Sequence, residues 1–241
     1  MDLTRVPALS YDGPQRAGTE PPGRGAHMGI EDRRAREFQR REQDILSAAL
    51  NLAGTESWQA VTIDQIAEKA EIGKGTVYKH FKSKDEVCAR LVMDNGRVLL
   101  AKLRAVDPGL EYVPRLKAAL RTVWHHSAES RDMRSLGMYC EMSEHSLNLG
   151  AEMEREFWGV KGEIEAYFQA LVEEGITRGI IPGQPIGYLL AAGWSTMIGA
   201  SRLFQESNMF PHMQDDEEFL EYLVDYVLKG LMNAQVPGRA N

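Results

Sequence analysis

Cysteine is nearly absent from this chain of 241 residues, which holds only Cys88 and Cys140. The two belong to no CxxC or CxxH cluster, which excludes a disulfide scaffold and a cysteine-rich zinc module. Both are expected to be reduced, structural thiols. No apolar run approaches the roughly 18 residues that a spanning helix needs, so no membrane association is expected. The N-terminus lacks the continuous apolar core of a secretory signal, and the cytoplasm is the expected location. Nucleophile-elbow, phosphate-loop and zincin signatures are missing, so neither enzymatic chemistry nor a cofactor is expected. No stretch alternates with period two, which leaves an all-α chain.

Positive charge is also scarce, with 28 Lys and Arg against 35 Asp and Glu and a formal net charge of -7. The deficit is uneven. Residues 33–84 carry ten basic and seven acidic side chains, whereas residues 85–241 carry fifteen and twenty-three. Only the first of these segments can face a polyanion, because the acidic remainder would be repelled by one. A hydrophobic content of 43% is ample for a packed core.

Residues 1–30 hold four Pro and five Gly and are expected to be a flexible arm, with Met28 an alternative translation start. From about Asp32 the pattern turns helical, with Phe38, Ile45, Ala49 and Leu52 at near-helical spacing and Gly54 expected as the C-terminal glycine. Thr62 and Gln65 match a capping box. Ser83 can cap a long helix that has Asp85 and Glu86 in its first turn. Asp107-Pro108-Gly109 is a turn, and further helices are expected at about 111–129, 132–147, 150–179, 186–206 and 216–233. The expected division is an arm at 1–30, a helix-turn-helix domain at 31–84, a larger helical domain at 85–236 and a tail at 237–241.

The most informative stretch is residues 62–84, TIDQIAEKAEIGKGTVYKHFKSK. Two short helices flank a tight connection. Lys74, Lys79, Lys82 and Lys84 then follow with no acid between 73 and 84, interleaved with Tyr78, His80 and Phe81. Val77 and Phe81, spaced i and i+4, can anchor the second helix inward, leaving Thr76, Tyr78, Lys79 and His80 for a DNA groove. Gly75 keeps the backbone low for close approach, and Lys84 is placed for a phosphate. A solvated amphipathic face is the competing reading of the same residues.

Residues 42–86, and KGTVYKHFKSK above all, resemble the DNA-binding domain of the tetracycline-repressor (TetR) family. The resemblance implies a dimeric transcriptional regulator, usually a repressor, released from a palindromic DNA operator by a small molecule. It implies phosphate contacts for Thr62, Tyr78 and Lys84, and base contacts for Thr76, Lys79 and His80, with Lys74 and Gly75 opening the helix. Two departures stand out. Glu71 replaces the family's usual turn glycine, and Gly73 replaces its frequent capping serine.

The acidic body is rich in large, adaptable side chains, each of which can equally be ordinary core. Together they suit a cavity for an apolar or amphipathic effector. The candidate lining is Trp124, His125, Met138, Tyr139, Met142, His145, Phe157, Trp158, Phe168 and Trp194. Cys140, Glu141, Glu144 and His145 are close in sequence, but their i, i+4 pairs point in different directions and no metal site is expected. A metal- or redox-responsive regulator, or an effector-free DNA-binding protein, are the alternatives. Residues 186–206 are apolar nearly all round and 216–233 carry an apolar stripe, so these two helices are the expected homodimer surface.

Overall fold

The computed structural model describes residues 29–143, 147–205 and 217–235. Among them the chain forms α1 (Ile30–Thr55), α2 (Ile63–Lys69), α3 (Lys74–His80), α4 (Lys84–Arg104), α5 (Tyr112–Ala128), α6 (Arg131–Ser143), α7 (Ala151–Thr177), α8 (Ile186–Gln205) and α9 (Glu217–Met232). No described residue is in a strand, and no described helix is long and apolar enough to cross a membrane. Residues 1–28 of the expected arm and the whole of the expected tail lie outside the described residues, and Ile30, expected in the arm, already belongs to α1.

The chain divides into two compact units, residues 1–94 with 135–157 and residues 95–134 with 158–241. α4, α6 and α7 contribute residues to both. In the first unit Ile45, Leu46, Ile66, Val77, Phe81, Val87 and Leu91 are buried from four successive helices. In the second, α5, α7, α8 and α9 bury a cluster that includes Tyr112, Leu116, Trp124, Phe168, Val172, Leu189, Met197, Val224 and Leu231. Burying side chains of this size contributes about 1.5–3 kcal/mol each.

Gly54 does not end α1. The helix runs on to Thr55 and leaves through Glu56 in extended conformation (φ -134°, ψ 158°), whose N–H still bonds Leu52 O at 2.9 Å. An exit through extended backbone asks nothing of glycine, and the Thr55 hydroxyl donates to the carbonyls of Asn51 and Leu52 at 3.4 and 3.2 Å. α7 does end on a glycine. Gly179 has φ +69°, and the bonds from Gly179 N to Ile176 O and from Ile180 N to Gly175 O form a Schellman closure.

One glycine is required by packing. Tyr112 opens α5 with its hydroxyl donating to Leu171 O of α7 at 3.0 Å, and a Cβ on Gly175 would lie 2.2 Å from that hydroxyl. Burial pushes the Tyr112 phenol up to about 12. α5 and α9 are further joined by the ion pairs Lys117 to Asp225 and Arg121 to Glu221, with His125 beside Glu217 one turn further on. The four-residue steps on both helices, taken in opposite directions, are those of an antiparallel pair.

α8 is not buried all round. Leu189, Met197 and Ser201 are buried, whereas Tyr188 is 65% exposed and Trp194 40%. On α9 the buried stripe of Leu220, Leu223, Val224, Val227 and Leu231 lies opposite Tyr222 and Tyr226, which are 70% and 61% exposed.

Candidate nucleic-acid interface

The start of α2 is fixed by a complete capping box. Thr62 Oγ1 accepts from Gln65 N at 3.3 Å, while Gln65 Oε1 accepts from Thr62 N at 2.8 Å. Gln65 Nε2 donates in turn to Glu56 Oε2 at 3.2 Å, tying the cap to the end of α1. α2 closes with the same Schellman pattern as α7, from Glu71 N to Glu68 O and from Ile72 N to Ala67 O, each at 3.0 Å. Its left-handed residue is Glu71, at φ 54°. A residue with a Cβ thus holds the left-handed position of this closure, at a cost of about 1–2 kcal/mol in backbone strain.

Gly73 caps α3 with extended backbone and no side-chain bond, and Thr76 N reaches Gly73 O at 2.7 Å. Val77 and Phe81 are 0% and 1% exposed and hold α3 against its neighbours. The opposite face is open. Lys74, Gly75, Tyr78 and Lys79 are exposed and Thr76 is half-buried. A Cβ on Gly75 would meet nothing within 4 Å, so the chain itself does not require glycine there. Lys74 is paired with Asp64 of α2 at 2.8 Å, and its ammonium is raised above the ordinary lysine value by that bond.

His80 and Lys84 are turned toward the protein. The His80 ring stacks on Phe38 of α1 at 3.9 Å between centroids, and its Nδ1 is buried without a partner. Burial holds its pKa below the ordinary imidazole value, with Lys79 adding to the shift and Glu42 opposing it. Phe38 is 49% exposed and serves this stack. Lys84 Nζ donates to the carbonyls of Trp58, Gln59 and Val61 at 2.8, 3.1 and 2.8 Å. It thereby closes the connection between α1 and α2, which the sequence did not reveal.

The residues after α3 make a second set of bonds that sequence reasoning assigned only to capping. Ser83 Oγ accepts from Glu86 N at 3.1 Å and donates to Asn148 O at 2.7 Å. Asp85 accepts from Tyr139 Oη at 3.0 Å and from Asn148 N at 2.9 Å. Buried Glu86 accepts from Lys82 N at 2.7 Å and from Gly150 N at 3.1 Å. Ser83, Asp85 and Glu86 are thus fastened to Asn148 and Gly150, which precede α7.

A compact helix-turn-helix with an apolar inner side and an open basic outer side is in place, and its sequence can be compared with known proteins. The family "Bacterial regulatory proteins, tetR family" matches residues 45–91. That span covers the end of α1, all of α2 and α3, and the start of α4. Residues 45–91 thus carry the DNA-binding domain of the tetR family of bacterial regulatory proteins. The uncharacterized HTH-type transcriptional regulator YhgD of Bacillus subtilis (strain 168) is 26% identical over 193 residues, covering 79% of this chain and 96% of YhgD. The HTH-type transcriptional regulator TcmR of Streptomyces glaucescens is 29% identical over 90 residues, 37% of this chain and 40% of TcmR. A tetR-family regulatory protein from Rhodococcus RHA1 has a similar fold, with a TM-score of 0.65, 21% identity, and coverage of 81% of this chain and 98% of its own.

The residues expected to line an effector cavity do not fall in one unit. Trp124, His125, Trp158, Phe168 and Trp194 belong to the second unit, and Met138, Tyr139 and Phe157 to the first. Trp124 is buried and tilted against Phe219, with centroids 6.1 Å apart, and Phe168 meets Trp194 edge-on at 6.2 Å. Trp158 is 41% exposed under the ammonium of Lys161. His125 is exposed beside Glu217, and Phe157 is fully buried. The Tyr139 phenol, pushed up to about 12 by burial and then by Asp85, is engaged with that carboxylate. The side chain of Met142 and the whole of His145 lie outside the described residues. Among the described residues no cluster of three metal-ligating side chains occurs.

Proposed function

We propose that this chain is a ligand-responsive repressor that binds a palindromic operator as a homodimer and is released by a small apolar or amphipathic effector. The observation that carries the DNA-binding part is the two-sidedness of α3. Val77 and Phe81 are sealed inside, while Gly75, Tyr78 and Lys79 face outward with open space beyond Gly75. Thr62, Lys74, Gly75, Thr76, Tyr78 and Lys79 form the contacting surface, with His80 and Lys84 at its inner edge. The domain division that goes with this reading is a helix-turn-helix domain at 31–84 and an effector-binding and dimerisation domain at 85–236.

The exposed aromatics of α8 and α9 support the homodimer. Tyr188, Trp194, Tyr222 and Tyr226 leave an apolar face open, and Gly187 and Gly199 have nothing near them that a Cβ would meet. Such a face with small residues suits a second copy packed on a two-fold axis. Two recognition helices would then enter successive major grooves roughly 34–36 Å apart. The effector reading is supported by the buried and half-buried aromatic side chains around Phe168 and Trp124.

One experiment tests the whole reading. Fragments of genomic DNA are selected in vitro on the purified protein, the molar mass of the free and bound protein is measured by light scattering, and ligands are then screened for release. Enrichment of a palindrome by a dimer is the expected result. Recovery of unrelated sequences with a uniform salt dependence would overturn it in favour of nonspecific binding.

A further inference from the structure

The chain's two cysteines are separated by 52 positions in sequence and yet meet inside one unit. Cys88 of α4 is 0% exposed and Cys140 of α6 is 1% exposed. Both are free thiols, and their Sγ atoms lie 3.2 Å apart. A disulfide spans about 2.05 Å, so an approach of about one ångström is all that separates this pair from a bond. Cys88 Sγ also faces Leu136 O at 3.7 Å, one turn before Cys140 on the same helix. Cys88 lies two residues after Glu86, whose carboxylate holds Lys82 N just past the end of α3.

We propose that Cys88 and Cys140 are a reversible oxidation site, in which a small peroxide forms an intramolecular disulfide that weakens the hold of α3 on DNA. The regulatory half of the proposal rests on the DNA-binding reading above. In the first step one thiol loses its proton during local opening and its thiolate attacks the peroxide; the O–O bond breaks, a sulfenic acid forms, and the departing hydroxide takes up a proton as the first water when the oxidant is hydrogen peroxide. The neighbouring thiol then displaces the sulfenic oxygen as a second water and the S–S bond forms. The two sulfurs together lose two electrons, both S–H protons leave in the waters, and a dithiol reductant reverses the reaction.

Burial, and then the adjacent Cys140, push the Cys88 thiol well above its ordinary value. The pair therefore rests as two thiols and is closed to bulky disulfides, whereas a small neutral oxidant can enter during local opening. Pulling Cys88 toward α6 moves the first turns of α4. Glu86 bonds Lys82 N directly, so the C-terminal end of α3 moves with it. A recognition helix held in a groove tolerates little displacement when its partner is fixed by dimer symmetry.

The test uses the full-length protein, reduced and then treated with hydrogen peroxide. Intact mass should fall by about two units, one for each hydrogen lost, and peptide mapping should find Cys88 joined to Cys140. Affinity for the selected operator, read by fluorescence anisotropy, should drop about 5-fold or more and return on adding dithiothreitol. Cys88→Ala, Cys140→Ser and the corresponding double variant should bind as the reduced protein does and ignore peroxide; if one folds poorly, the remaining variants give the same comparison. Absence of the linked peptide overturns the oxidation site. A linked peptide with unchanged affinity overturns the regulatory role. If the reduced protein binds no selected DNA, the DNA-binding reading fails, and the linked peptide still decides the oxidation site.

Discussion

Lys84 Nζ donates to Val61 O at 2.8 Å, joining the first residue of α4 to the residue that precedes the α2 cap. Two more carbonyls, of Trp58 and Gln59, share the same ammonium. Burial lowers the Lys84 pKa, and Asp85 opposes that shift. Lys84→Met keeps the aliphatic stem and removes all three bonds. The unfolding free energy should fall by about 1–3 kcal/mol, measured by urea denaturation without DNA. A variant as stable as the parent would show that water replaces the ammonium at no loss.

Gly75 offers a separation of fold from function. A Cβ there meets nothing within 4 Å, and alanine in a helix is favoured over glycine by roughly 0.5–1 kcal/mol. Gly75→Ala should therefore leave the melting temperature unchanged or slightly raised while weakening operator binding. Calorimetry and anisotropy on the same sample check both halves. Unaltered affinity would mean that no backbone comes close to this position.

Glu71 sits at φ 54° in the closure of α2. Glu71→Gly should stabilise the protein by about 1 kcal/mol, since glycine visits this region freely. Glu71→Ala removes the side chain without removing the Cβ and should gain little. Comparable gains from both would trace the effect to the carboxylate rather than the backbone.

His80 and His126 give the protein a predictable response to acid. Burial lowers the pKa of both, and Lys79 acts in the same direction on His80, as Lys102 does on His126. A histidine whose pKa is depressed on folding binds its proton more readily in the unfolded chain. Its contribution to stability is then complete above the unfolded value of about 6.5 and is lost as pH falls below it. Melting temperatures taken from pH 8 down to pH 5.5 should decline below that point. His80→Phe, which keeps a ring on Phe38, should reduce the slope.

Local rules made much of the interface legible in the sequence. Thr62 with Gln65, Gly73 as a cap, and Val77 with Phe81 as inward anchors all depend on neighbours within four residues, and all occupy those places. Contacts across longer separations were hidden. The carbonyls held by Lys84 lie 23 to 26 residues away, and nothing in a lysine's surroundings in sequence marks it as bound. Phe38 and His80 come from different helices. The meeting of Cys88 and Cys140 depends on how α4 packs against α6, and spacing alone gave no reason to pair them. Gly54 misled because a helix that leaves in extended conformation does not use the left-handed exit that favours glycine.

The contact of Tyr112 with Gly175 has a mechanical consequence. The ring occupies the space of a missing side chain, and on α7 the position one turn earlier is Leu171. Sliding α7 along its axis so that this residue takes the place of Gly175 would drive its side chain into the phenol. The contact therefore acts as a detent between α5 and the end of α7 that carries Gly175. Any signal crossing the second unit along these two helices has to travel as a tilt or a rotation, because translation is blocked.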